Sequence, residues 1–211
     1  MKSIKSFLLG FLFPTSCLFC FKGDKTVCHE CFEKIQTRPY ERDGISSLYE
    51  YRDRRVNKLL WRLKYHHTHD IAEVFGKPMA NMLSKLTPKD AKNIYLIPIP
   101  LAANDKRFRN HAKLIADSIK ENSPSTFVLD NLLIKQAHIK QAHTKDKKER
   151  LENTKDIFSV NRNIKINTES YIFVLVDDVF TTGSTLKEAR FQLSNYFNIP
   201  ERDIFSIALA H

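Results

Sequence analysis

Beyond Cys31 the chain contains no further cysteine, and the four it has are crowded between positions 17 and 31. With no paired cysteines spread along the chain and no secretory context, metal binding is favoured over disulfides. No apolar run reaches the roughly 20 residues of a membrane span, so no transmembrane segment is expected and the protein reads as soluble. A Walker lysine is missing too: Gly183 is followed by Ser184, which excludes a P-loop. Acidic residues are in deficit, 24 Asp and Glu against 34 Lys and Arg, for a formal charge of +10 at pH 7. Such an excess suggests a polyanionic partner, although it equally serves solubility. What is present, 211 residues at 42% hydrophobic and 11% aromatic content, excludes a disordered chain and suffices for one full core with a small appendage.

The most informative stretch is VLVDDVFTTGST, positions 174–185. Val174, Leu175 and Val176 read as a parallel strand covered on both faces. Asp177 and Asp178 follow at its carboxyl end, where open α/β sheets place their ligands. Thr181, Thr182, Gly183, Ser184 and Thr185 then supply hydroxyls and backbone amides at the start of a helix. First-turn N–H groups are unpaired and carry the positive end of the helix dipole, so this loop is a phosphate cradle. Carboxylates beside it suit a ligand with diol hydroxyls or a bound Mg²⁺, and a phosphorylated ribose is such a ligand. An ordinary Asx turn with a hydroxyl N-cap is the plain alternative, but a cap needs one hydroxyl, not four.

Cys17-Leu-Phe-Cys20 and Cys28-His-Glu-Cys31 form two C-x2-C pairs, with Gly23-Asp24 as the turn between them. Four thiolates placed tetrahedrally fill every position on Zn²⁺, so the metal expected at Cys17, Cys20, Cys28 and Cys31 is structural. His29 is expected to be exposed, not ligating. Ahead of the pairs, the apolar stretch Phe7–Phe13 reads as a short helix packing on the body, with a membrane-surface contact as the weaker alternative.

A strand over Ile45–Tyr51 and a helix over Arg54–His67 come next, with Val56, Leu59, Leu60 and Leu63 at helical spacing. Arg54, Arg55, Lys58, Arg62 and Lys64 interleave there with Tyr51, Trp61 and Tyr65. Phosphate attraction plus stacking surface is what single-stranded nucleic acid uses. A solvated basic face over a core Trp61 is the competing reading, and both stay open. His66, His67 and His69 read as solvated loop residues. Asp70–Leu86 is a helix with a kink or break expected at Pro78. Ile94–Ile99 is a buried strand. The loop from Leu101 to His111 carries Lys106, Arg107 and Arg109, which suit a pyrophosphate, or form a plain surface loop. Thr144–Arg150, TKDKKER, is a loop or hairpin arm whose cations either close over a phosphate or keep the segment wet. Strands over Asp156–Val160, Tyr171–Val176 and Asp203–Ala210 and a helix over Ser184–Phe197 complete the chain. That helix is expected to bury Leu186, Ala189, Leu193, Tyr196 and Phe197.

The acid pair with its TTGST loop closely resembles the signature of type I phosphoribosyltransferases. In that family the acids bind the ribose hydroxyls of phosphoribosyl pyrophosphate and the loop binds its 5′-phosphate. The whole chain resembles the ComF family, also called GntX-like, in five ordered segments: FLFPTSCLFC with the second Cys pair, LLWRLKYHH, IPIPL with the basic loop, the Arg150…Asn153…Phe158 segment, and VLVDDVFTTGST. Gln141 matches the family's Gln before its next helix. The resemblance implies an α/β fold, a type I phosphoribosyltransferase-like parallel sheet flanked by helices (41–211), behind a small N-terminal helix and four-cysteine zinc finger (1–40). It implies Mg²⁺ with the phosphoribosyl pyrophosphate. It also implies a part in natural competence, handling incoming single-stranded DNA near the inner face of the cytoplasmic membrane beside other DNA-uptake proteins. An active phosphoribosyltransferase working on a nucleobase or related nucleophile is the alternative. One departure stands out: where the family has R-G-F-N-Q, this chain has Arg107-Phe108-Arg109-Asn110-His111, and the lost Gly removes the freedom for positive φ.

Overall fold

The computed structural model describes residues 16–65, 69–88, 91, 93–101, 109–136, 157–164, 166 and 171–211. Along the chain come α1 (His29–Glu33), β1 (Tyr40–Arg42), β2 (Ile45–Tyr49), α2 (Arg54–Tyr65), α3 (His69–Leu86), β3 (Asn93–Pro98), α4 (His111–Glu121), β4 (Thr126–Val128), β5 (Leu133–Lys135), β6 (Phe158–Val160), β7 (Tyr171–Val179), α5 (Ser184–Phe197) and β8 (Ile204–Ala210). The Phe7–Phe13 stretch, His66, His67, Lys106, Arg107, Gln141 and the TKDKKER segment lie outside the described residues.

Six strands form one sheet in the order β1-β2-β8-β7-β3-β4, parallel throughout except for the antiparallel edge pair β1–β2. Burial on alternate sides makes β7 its centre. Val174 and Val176 pack with α2, α3 and α4 on one face, while Phe173 and Leu175 pack with α5 and the separate β5–β6 pair on the other. A strand buried on both faces needs an unbroken apolar run, which is why FVLV carries no polar residue. From β3 the chain crosses through α4 to β4 on one side, and from β7 it crosses through α5 to β8 on the other. The order therefore reverses between β3 and β7. Their carboxyl ends flank the crevice in which open α/β sheets bind ligands. The expected architecture, helices around a mostly parallel sheet with a Cys-rich N-terminal finger, is the one that forms.

Several local expectations are corrected. β1 was not anticipated, although Asp43-Gly44 is a type I′ hairpin signal: both residues take positive φ, +57° and +70°, and join β1 to β2 through a two-residue turn. Pro78 lies inside α3 without ending it. Tyr196 is exposed, and Arg190 is buried on that side of α5 in its place, donating to the carbonyls of Asp43 and Gly44 and to Ser206. Trp61 is not a core residue, being half exposed beside Tyr65 with ring centroids 5.5 Å apart.

Candidate functional site

β7 extends beyond Val176 to Val179, so the two acids sit within the last part of the strand and not after it. Successive side chains of a strand point to opposite faces. Asp177 accordingly lines a cavity of about 70 Å³ on the α5 side with Thr181, Thr182, Gly183, Ser184 and Thr185. Asp178 falls on the helical side, where its Oδ2 meets Lys64 Nζ at 2.9 Å and His111 Nδ1 at 3.5 Å. The acids thus straddle the strand. Each carboxylate also accepts a backbone N–H from the next residue: Asp178 N–H donates to Asp177 at 2.8 Å and Val179 N–H to Asp178 at 2.7 Å.

Burial, with the Asp178 charge beside it, pushes the Asp177 carboxyl up to about 7. An unfolded Asp ionises near pH ~3.9, so between that pH and about 7 the folded state holds the extra proton and stability falls as pH rises. Asp177→Asn removes the penalty. Its melting temperature is expected to match that of the wild type near pH 4 and to exceed it at pH 8. An equal gain at both pH values in paired melting curves would remove burial of the charge as the cause.

In the loop, Gly183 is the N-cap of α5 at φ +75°, and a Cβ there would lie 2.6 Å from Ile45 Cδ1. Only glycine combines that backbone with so close an approach. Thr182 Oγ1 lies 3.1 Å from Ser184 Oγ and accepts the Ser184 N–H at 3.4 Å. The β1–β2 hairpin braces this loop: Arg42 donates to the Thr181 carbonyl at 2.5 Å and lies 5.4 Å from the Phe180 ring centroid, while Lys187 of α5 meets Asp43 at 2.6 Å. Arg42 brings a guanidinium to the cradle that sequence reasoning missed, because hairpin and loop are 139 residues apart.

Across the crevice, Ile99 N–H donates to the Val176 carbonyl at 2.9 Å, setting the end of β3 beside β7. Asn110 ties the two ends of the loop after β3 together, donating to the Ile99 carbonyl at 2.9 Å and capping α4 at Lys113 N–H. Arg109 is exposed at the returning end of that loop. His111, which stands where the ComF pattern has Gln, is buried against Asp178. Neither His111 nor Lys64 was anticipated as a partner of the acid pair. A lysine in LKY has the look of any basic helix residue until the helix is placed.

The basic helix divides by direction. Asp53 accepts the N–H groups of Arg55 and Val56 and starts α2, whose Val56, Leu59, Leu60 and Leu63 are buried. Arg55 donates to the Lys34 carbonyl at 3.1 Å and Lys58 to the Leu18 carbonyl at 3.0 Å, so these two clasp the finger. Arg54 and Trp61 are exposed, with Arg62 half-buried beside them. Lys64 alone turns to the acid pair.

In the finger, the ligand atoms of Cys17, Cys20, Cys28 and Cys31 all lie within 4.8 Å of one another, the metal-type cluster found among the described residues. Sulfurs bound to zinc at about 2.3 Å in a tetrahedron stand about 3.8 Å apart, and Cys20 Sγ to Cys28 Sγ is 3.7 Å. Burial and the neighbouring sulfurs push the Cys31 thiol up to about 12. Burial also opposes ionisation of Cys17, but backbone hydrogen bonds from Cys28, Cys20 and Phe19 outweigh it and bring that thiol down to about 6. A cation relieves the repulsion among four crowded thiolates, so the set fits Zn²⁺, which would supply a cross-link and no open coordination position. His29 faces solvent, paired with Glu33 at 3.4 Å.

The reversed strand order, with the acid pair and the glycine-pivoted hydroxyl loop at the carboxyl end of its central strand, defines an α/β protein with a mostly parallel six-stranded sheet flanked by helices and an N-terminal four-cysteine cluster. No family model matches the chain. A curated relative does: the competence protein ComFC of Bacillus subtilis (strain 168) is 28% identical over 201 residues, spanning 80% of this chain and 78% of that protein. The chain is a homologue of ComFC, in agreement with the resemblance carried by its motifs. Among the described residues, no helix is long and apolar enough to cross a membrane.

Proposed function

We propose that this is a competence-associated protein that handles incoming single-stranded DNA during natural transformation and binds phosphoribosyl pyrophosphate with Mg²⁺ at the Asp177–Thr185 site. The competence role is carried over from the relative's name. The ligand reading rests on one observation above all: Asp177 and the hydroxyl loop share a cavity at the point where the strand order reverses. There the 5′-phosphate would sit on the first-turn amides of α5, and the ribose hydroxyls would donate to the acids. Arg109, with Lys106 and Arg107 beside it in sequence, would meet the pyrophosphate, whose charge Mg²⁺ helps to neutralise when bound. The DNA would lie on α2, its bases on Trp61 and its phosphates on Arg54 and Arg62. Action at the cytoplasmic face of the membrane, beside other uptake proteins, belongs to the same proposal.

Calorimetric titration with phosphoribosyl pyrophosphate and Mg²⁺ tests the site. At pH 8, above the raised Asp177 value of about 7, binding is expected in the wild type and at least a hundredfold loss in Asp177→Ala/Asp178→Ala, because two charge-assisted acceptors at about 1.5–3 kcal/mol each are removed. Unchanged affinity in the double variant would place the ligand elsewhere.

A further inference from the structure

Helix α2 touches both proposed binding sites. Its last turn holds Arg62 and Lys64. Trp61 and Tyr65, on either side of them in sequence, are more than half exposed. From that turn Lys64 crosses to Asp178, which it meets at 2.9 Å, with the Lys64 side chain 23% exposed and the Asp178 side chain 12%. The helix itself is held in place further back, where Arg55 and Lys58 clasp the finger and four apolar residues enter the core. The long, flexible lysine stem can therefore change partner without the helix moving.

Asp178 is fully engaged. A sugar-phosphate ligand needs its carboxylate as a free acceptor, but here Oδ1 accepts the Val179 N–H while the Lys64 ammonium at 2.9 Å and the His111 imidazole at 3.5 Å share Oδ2, and of these the partly exposed lysine is the nearest cation. Lys64 in turn has two possible anionic partners, Asp178 on one side and a nucleic-acid phosphate lying along Trp61, Arg62 and Tyr65 on the other. Resting on the proposed function above, we propose that Lys64 is a displaceable counter-ion coupling the two sites: single-stranded DNA draws it off Asp178, and the freed carboxylate takes the sugar-phosphate ligand. By linkage each ligand raises the affinity for the other by the same factor. Simple charge repulsion between two polyanions would give the opposite sign.

The test uses the full chain with its metal, titrated with phosphoribosyl pyrophosphate and Mg²⁺ at low salt, with and without a saturating oligo(dT). Roughly fivefold tighter ligand binding is expected with the oligonucleotide, at the lower end of typical couplings. Lys64→Gln is expected to bind the ligand without DNA as tightly as the wild type does with it, and to gain nothing more from DNA. The proposal is overturned by a wild-type affinity that DNA leaves unchanged or weakens, and equally by weaker ligand binding in Lys64→Gln, which would put Lys64 on the ligand itself. The reverse titration needs no variant. Wild-type affinity for the oligonucleotide must rise by the same factor when the ligand is present, and a flat response there also overturns the coupling. Failure of the underlying reading looks different. No ligand binding by wild type or Lys64→Gln under either condition removes the phosphoribose site, and no oligonucleotide binding removes the DNA surface; either result takes the coupling down with it.

Discussion

Stripping the metal from Cys17, Cys20, Cys28 and Cys31 is expected to lower the melting temperature of the entire protein, not of the finger alone. Val27 and Ile35, which flank α1, belong to the same buried cluster as Leu59, Phe75 and Val176, and Phe32 packs edge-on against Phe75 with ring centroids 5.5 Å apart. A finger that loses its cross-link and peels away exposes these three side chains. At about 1.5–3 kcal/mol each for the buried Val27 and Ile35 and about half that for the partly buried Phe32, the loss is roughly 4–8 kcal/mol. At about 2–4 °C per kcal/mol for a chain of this size, the melting temperature should fall by roughly 10–30 °C. Trp61 is the sole tryptophan and lies on the helix that clasps the finger, so its fluorescence reports the same event. Calorimetry before and after chelation checks this, and an unchanged main transition beside a separate small one would show that the finger melts independently. Four cysteines within fifteen positions read in the sequence as a small appendage, for which that second outcome would be expected.

The second large effect is expected at Gly183. An alanine there takes a left-handed backbone, which costs about 1–2 kcal/mol, and its Cβ meets Ile45 Cδ1 at 2.6 Å. Ile45 begins β2 and is fully buried, so relief requires repacking, at about 1–3 kcal/mol. The sum is roughly 2–5 kcal/mol, or a melting temperature lower by roughly 5–20 °C. Ligand binding at the cradle should fall with it, because the loop moves away from the first-turn amides. A Gly183→Ala protein with wild-type melting temperature and wild-type ligand affinity would refute the packing argument. Comparison with Thr182→Ala separates loop geometry from a lost hydroxyl: that variant should weaken ligand binding with little change in melting temperature.

The two acids illustrate how far the sequence reaches. That carboxylates end a buried strand beside a loop of small hydroxyl residues was legible, because an unbroken apolar run and a small-hydroxyl cluster are local signals. Their separation followed only from the pleat, which turns Asp177 toward the loop and Asp178 toward α2 and α4. Burial then raised Asp177 to about 7, and no spacing rule reports burial. Lys64 shows the same limit from the other side. On the helix it is one of five basic residues, and only the packing of α2 against the sheet distinguishes it from Arg62. The hairpin at Asp43-Gly44 is a different kind of miss. Its turn signal was present in the sequence, but one strand of three residues is too short to show an alternating pattern.

By itself, then, the sequence determined the elements whose causes are local: the cysteine spacing, the apolar stripe of α2, the buried run of β7 and the hydroxyl loop that opens α5. The tertiary structure decided which groups meet. Lys64 and His111 reach Asp178, Arg42 reaches the Thr181 carbonyl across 139 positions, and Phe32 joins the main core. The physical reason is that periodicity and propensity act within a few residues, whereas charge pairing and burial depend on distances in space that only the order of the strands sets.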